Sequence, residues 1–161
     1  MNVVLVEPRI PQNTGNIART CAVTDTKLHL VRPLGFSLQD KYLKRAGLDY
    51  WDQLDIEIHE NFTAFLEKYG KKKLLLFSTK AKRVYSDEEY RGDEFLLFGK
   101  ETAGLSEKFI ADNLENSLRI PMKNYARSLN LANSVAIVLF EAYRQLGFPE
   151  FQKKGDFMQE F

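Results

Sequence analysis

Apolar residues in this chain fall into short unbroken runs set apart by longer stretches of helical spacing or turn residues. NVVLV at 2–6, KLHLV at 27–31, a run near 55–58, KLLLFS at 73–78 and FLLF at 95–98 read as buried strands, and a further short strand ends at Ile120. Between them the spacing predicts helices over 16–24, 40–46 and 130–146. Another, FTAFLEKY, lies between an Asn61 cap and a Gly70 stop, and one more is opened by Ser106. Strands alternating with helices along the whole length are the signature of an α/β sheet covered by helices on both faces.

The last helix breaks the pattern of one core-facing stripe. Six apolar residues follow one another from Val135 to Phe140, so that level of the helix is apolar all round. Either the helix is central in its own core, or its second face packs against another subunit. A chain of 161 residues has little capacity to surround a helix completely, which favours a homodimer through this C-terminal helix.

The length suits one domain, here drawn over 1–149, with a tail at 150–161 that mixes charges and isolated aromatics and is expected to be loosely held. With 28% charged and 44% hydrophobic residues the balance is that of a globular protein. MNVVLVEP enters a strand at once, without a basic segment or cleavage site, which argues against export and for a cytoplasmic protein. Cys21 is the single cysteine and His29 and His59 are the two histidines, so no spaced metal cluster is visible and no metal is expected. A net charge of +1 excludes a chain that coats nucleic acid by charge alone. The basic clusters at 41–45, 71–73 and 80–83 are read as solvated rims.

Three connections carry unusual chemistry. EPRIPQNTGNIART at 7–20 is longer than the usual strand-to-helix loop of about two to six residues. Within it Asn13 or Thr14 reads as a helix cap and Gly15 as a left-handed turn. Arg19 falls near a helix entrance, the wrong end of the dipole for a cation unless an anion is nearby. GKETAGLS at 99–106 follows a buried strand and precedes a helix, where open α/β sheets place ligands. It is not a phosphate-binding P-loop, because Glu94 and Glu101 stand where glycine and Ser or Thr are required. Gly99 and Gly104 instead bracket a carboxylate and allow bare backbone to approach a flat ligand. RIPM at 119–122 leads to RSLNLANS at 127–134, where more polar side chains precede the last helix than capping demands. Meeting at one sheet edge, the three would form a pocket.

In order, NTGNIAR at 13–19, FGKETAGL at 98–105, and RIPM followed by SLNLANS at 128–134 resemble the three motifs of the SPOUT superfamily of RNA methyltransferases, nearest to its SpoU branch. EPRIPQNTGNI at 7–17 and KRAGLDY at 44–50 resemble the small enzymes of that branch that act on the wobble nucleotide of tRNA. The resemblance covers about residues 1–149 and departs at Ala103, where arginine is usual, and Phe140, where tyrosine is usual.

It implies a SPOUT-type parallel sheet with a deep C-terminal trefoil knot, a homodimer, and S-adenosylmethionine as methyl donor against Phe77, Gly99, Gly104, Ile120 and Ser128. It implies the tRNA anticodon loop as partner, contacted by Arg19 and Arg127, and Arg19, Glu101, Ser128 and Asn130 as the residues that promote transfer to the 2′-hydroxyl of cytidine or uridine 34. A guanidinium stays protonated below about pH 12, so Arg19 suits orientation and oxyanion stabilisation better than proton removal. A SpoU-type methylase of ribosomal RNA and a dimeric module that binds RNA and cofactor without catalysis are the competing expectations.

Overall fold

The structure, a computed structural model, describes residues 1–38 and 54–155. The helix expected at 40–46 and the segment KRAGLDY lie outside the described residues. Strands β1 (Asn2–Val6), β2 (Lys27–Val31), β3 (Ile56–His59), β4 (Leu74–Phe77), β5 (Arg83–Val84), β6 (Phe95–Phe98) and β7 (Ser117–Arg119) form a seven-stranded sheet in the order β3-β2-β1-β6-β4-β7-β5. Every pairing is parallel. The two-residue edge strand β5 carries no apolar run and left no sequence signal.

Among the described residues four α-helices cover the sheet: α1 (Pro11–Val23), α2 (Phe62–Tyr69), α3 (Glu107–Ala111) and α4 (Leu131–Gln145). Because side chains alternate along each strand, the buried runs divide between two faces. Leu5, Leu30, Leu75, Leu96 and Leu118 pack with Ile17, Cys21, Val135 and Leu139 from α1 and α4. Val4, Val31, Leu76 and Leu97 pack with Phe65 and Ile110 from α2 and α3.

Helix α1 starts at Pro11, five residues before the expected start, because proline has no N–H to satisfy and its fixed φ suits the first turn. The strand-to-helix loop is therefore short, Gly15 is a buried helical residue rather than a left-handed turn, and Arg19 sits deep in the helix instead of at its entrance. Asn61 caps α2, its Oδ1 accepting from the Ala64 N–H at 2.8 Å, and Ser106 caps α3 by accepting from Phe109 N–H at 3.2 Å. Gly70 ends α2 by lack of bulk and not by handedness, since its φ is −62° while a Cβ there would meet the Leu66 carbonyl oxygen at 2.4 Å. In α4 Val135, Val138, Leu139 and Ala142 are fully buried, whereas Ile137 and Phe140 stay 37% and 43% exposed, so one chain leaves part of the apolar girdle uncovered. Past α4, Phe151 packs on Tyr143 with ring centroids 4.8 Å apart, which docks the start of the tail.

Beneath α2 the sheet buries a polar network that sequence spacing did not reveal. The Asn2 amide donates to the Glu94 carbonyl at 3.4 Å, which turns its Oδ1 to His29 Nε2 at 3.2 Å. His29 Nε2 must then donate, leaving Nδ1 to accept from His59 Nε2 at 3.0 Å. His29, Glu57 and His59 bring ligand-type atoms within 4.8 Å of one another. The Glu57 carboxylate is already taken by Lys68 at 2.7 Å, Tyr69 at 2.8 Å and Lys27 at 3.1 Å, so we read a closed hydrogen-bond network.

Burial holds the His29 imidazole at about 4, below its ordinary 6.5. Partial burial pushes the Glu57 carboxyl up, but hydrogen bonds from Lys68, Tyr69 and Lys27 outweigh it and bring the group to about 2. His29 takes a proton more readily when unfolded, so its contribution to stability is full above 6.5 and is lost as the pH falls from 6.5 to about 4. The loss is expected to be on the order of 3 kcal/mol. Urea denaturation of the wild type across that range should show it, and His29→Gln should flatten the decline; a parallel decline in both would disprove the assignment.

Candidate functional site

The sheet order reverses around β1. The chain first moves outward from β1 to β2 and β3, then crosses to β4 on the other side, and β6 later fills the gap between β1 and β4. Ligands of open α/β sheets lie outside the carboxyl ends of strands at such a switch point. There the structure has a cavity of about 730 Å³, within the roughly 300–1,000 Å³ typical of small-molecule sites.

Its walls come from the three motifs. Phe77, at the end of β4, stacks on Phe98, at the end of β6, with ring centroids 4.7 Å apart and planes 12° from parallel. Gly99, Glu101, Gly104, Ile120, Arg127, Ser128 and Asn130 all line the cavity. Arg19 does not: α1 carries it on an exposed face outside the cavity, a consequence of the early helix start. Asn13, Lys80, Phe98, Met122 and Ser134 also line the cavity, though the sequence singled none of them out as site residues. The sequence offered Asn13 only as a helix cap and Lys80 only as part of a basic rim.

The two glycines act differently. Gly104 has φ +69°, the left-handed region, and its N–H closes a turn onto the Lys100 carbonyl at 2.7 Å. At Gly99 the constraint is space, since a Cβ would lie 2.0 Å from the Gly104 carbonyl carbon. The lysine that suggested a phosphate loop, Lys100, is paired with Glu7 at 2.9 Å.

Glu101 reaches across the cavity edge to the start of α1. One carboxylate oxygen accepts from the Arg9 N–H at 2.8 Å, and the other from the Ile10 N–H at 3.2 Å and from Asn13 Nδ2 at 3.0 Å. Ile10 offers no side-chain cap to α1 and no acidic residue stands in its first turn. The anion sought at this helix entrance is thus Glu101, supplied from a different loop. Asn13 Oδ1 in turn accepts from Asn130 Nδ2 at 2.9 Å, while Asn130 Oδ1 caps α4 by accepting from Ala132 N–H at 2.9 Å and Asn133 N–H at 3.3 Å. One hydrogen-bonded chain therefore joins all three motifs. The site can enclose a flat, partly apolar ligand between an aromatic wall and exposed backbone, with polar side chains at its rim.

Comparison with known proteins agrees with this geometry. The model of the SpoU rRNA Methylase family matches residues 1–140. A Yersinia pestis protein named tRNA (cytidine(34)-2'-O)-methyltransferase is 47% identical over 156 residues, covering 92% of this chain and 96% of its own. A solved structure described as giving insights into the 2-OH methylation of C/U34 on tRNA superposes with a TM-score of 0.86 at 46% identity, covering 91% of this chain and 95% of that one. An AdoMet-bound rRNA methyltransferase from Sinorhizobium meliloti superposes with a TM-score of 0.80 at 28% identity, covering 90% of this chain and 56% of its own. With the family model spanning nearly all of the fold and the three motifs gathered at one cavity, the chain belongs to the SpoU methylase family.

Proposed function

We propose that this protein transfers a methyl group from S-adenosylmethionine to the ribose 2′-hydroxyl of the wobble nucleotide, cytidine or uridine 34, of tRNA. The observation that carries the reading is the meeting of the three motifs at one cavity of suitable size, in a chain that matches wobble-nucleotide methyltransferases over nearly its full length. The donor, when bound, supplies an electrophilic methyl on a sulfonium. Phe77, Ile120 and Leu105 offer apolar walls for it, Gly99 and Gly104 bare backbone, and Ser128 a hydroxyl at the rim. These residues fit a nucleoside with a short charged tail, and in-line displacement asks mainly that they hold the reacting atoms in register.

In this reading Glu101 and Asn130 are positioning residues, because their polar atoms hold the starts of α1 and α4 and so fix the cavity rim. Arg127 contacts RNA at the mouth. Arg19 orients the ribose or its phosphate and stabilises developing oxyanion charge. Because it lies outside the cavity of its own chain, the homodimer through α4 is also what brings an Arg19 to the reaction. The exposed Ile137 and Phe140 support that dimer. We further propose one methyltransferase domain over 1–149 with a deep trefoil knot in its C-terminal third, acting in the cytoplasm. The match to the SpoU methylase family supports the knot.

Purified protein incubated with labelled S-adenosylmethionine should label bulk tRNA at the ribose of nucleotide 34 and leave ribosomal RNA unlabelled; label confined to ribosomal RNA, or none on either, would overturn the reading. Glu101→Gln replaces an acceptor by a donor facing N–H groups. The expected cost is about 2 kcal/mol, a midpoint lower by roughly 4–8 °C, together with weaker donor binding. Differential scanning calorimetry with titration of S-adenosylmethionine checks both, and an unchanged midpoint would mean a solvated carboxylate. Phe140→Glu places a charge on the uncovered face of α4. Sedimentation equilibrium should give a dimer for the wild type at micromolar concentration and a monomer for the variant, and a monomeric wild type would refute the interface.

A further inference from the structure

Among the exposed large hydrophobic residues Tyr125 stands apart, with 89% of its surface open. It sits at the tip of a tight turn closed by the Ala126 N–H donating to the Lys123 carbonyl at 2.9 Å. Lys123 and Arg127 flank it, and neither forms an ion pair among the described residues. The turn lies between Met122 and Arg127, both of which line the cavity. At no more than about 3.6 Å per residue, the Tyr125 backbone lies within about 7 Å of Arg127 and about 11 Å of Met122.

A tyrosine packed into no core, fixed at a turn apex beside the mouth of the site and bracketed by two cations, has the parts that single-stranded RNA sites use: a ring for a base, and charges for the phosphates on either side. A ring with two side-chain torsions also loses little freedom on contact.

We propose that Tyr125 is a stacking platform for a base adjacent to the nucleotide whose ribose enters the cavity, with Lys123 and Arg127 holding the neighbouring phosphates. This deepens the proposed function and rests on it. Stacking accepts any base, so the platform raises affinity for an unpaired loop without reading its sequence. It acts on binding of the RNA and leaves the donor pocket alone.

The test uses the full chain and an anticodon stem-loop RNA carrying 2-aminopurine next to the target nucleotide. Wild type should quench the probe. Tyr125→Ala should abolish the quench and raise KM for the RNA about tenfold or more, with kcat at saturation and calorimetric affinity for S-adenosylmethionine unchanged. Tyr125→Phe and Tyr125→Trp should retain both the quench and the wild-type KM. An unchanged KM in Tyr125→Ala would overturn the proposal, as would an equal loss in Tyr125→Phe, which would mark a hydroxyl contact. A lower mass of Tyr125→Ala in sedimentation would also overturn it, by placing the residue in a subunit contact. If wild type binds the RNA with quenching yet transfers no methyl, the methyltransferase reading fails while the platform stands; transfer without any quench sinks the platform alone.

Discussion

The hydrogen-bonded chain from Glu101 through Asn13 to Asn130 is the constraint on which the site depends. Helix α1 begins with Ile10 and Pro11, a start with no side chain of its own to satisfy the free N–H groups. Glu101 instead holds the backbone leading into the helix, accepting from the Ile10 and Arg9 N–H groups across 91 and 92 residues of sequence. The entrance of a helix thereby becomes a tertiary tie. Asn130 does two tasks with one amide, its oxygen capping α4 and its nitrogen reaching Asn13 across 117 residues of sequence. Each bond is modest in water. Together they set the spacing of two helix starts and one glycine turn, and that spacing is the shape of the cavity.

The sheet sets where this tie can form. Parallel strands all deliver their carboxyl ends to one edge, so β1, β4, β6 and β7 hand over their following loops side by side. The order of strands reverses at β1, which leaves room between the outgoing loops. The stacked Phe77 and Phe98, last residues of adjacent strands in register, form a wall that requires no loop at all. The two apolar faces, one covered by α1 and α4 and the other by α2 and α3, hold that edge rigid.

Much of this was legible in the sequence because buried parallel strands are short and uniformly apolar: NVVLV, KLHLV and FLLF appear as strands with the bounds expected of them. The motif residues of the second and third loops reach the cavity because position after a strand nearly dictates it. The first loop was misread for a physical reason. Pro11 looked like part of a long irregular connection, whereas proline at a first helical position starts the helix early and carries Arg19 away from the mouth. β5 escaped notice because a two-residue edge strand needs no apolar pattern. The contact between His29 and His59 joins strands whose pairing no spacing rule encodes. Asn13 was seen as a possible cap, and only the fold shows that its partners come from two other motifs.

In the proposed reading, charge makes the recognition of RNA local. A net charge of +1 gives little counterion release on which to build affinity for RNA. Around the cavity, two lysines are already spent on carboxylates of their own chain, Lys100 on Glu7 and Lys80 on Glu107. What remains at the mouth is Arg127 with Lys123 a few residues before it, two cations on one turn. Two phosphate contacts fix a strand without selecting a long duplex, and the additional hold has to come from contacts that a neutral surface can make, which are stacking and shape. A small domain with a dense polar rim and an aromatic beside it therefore suits an unpaired loop with its bases turned outward. An extended helix would present the same phosphates but no base face to meet the ring.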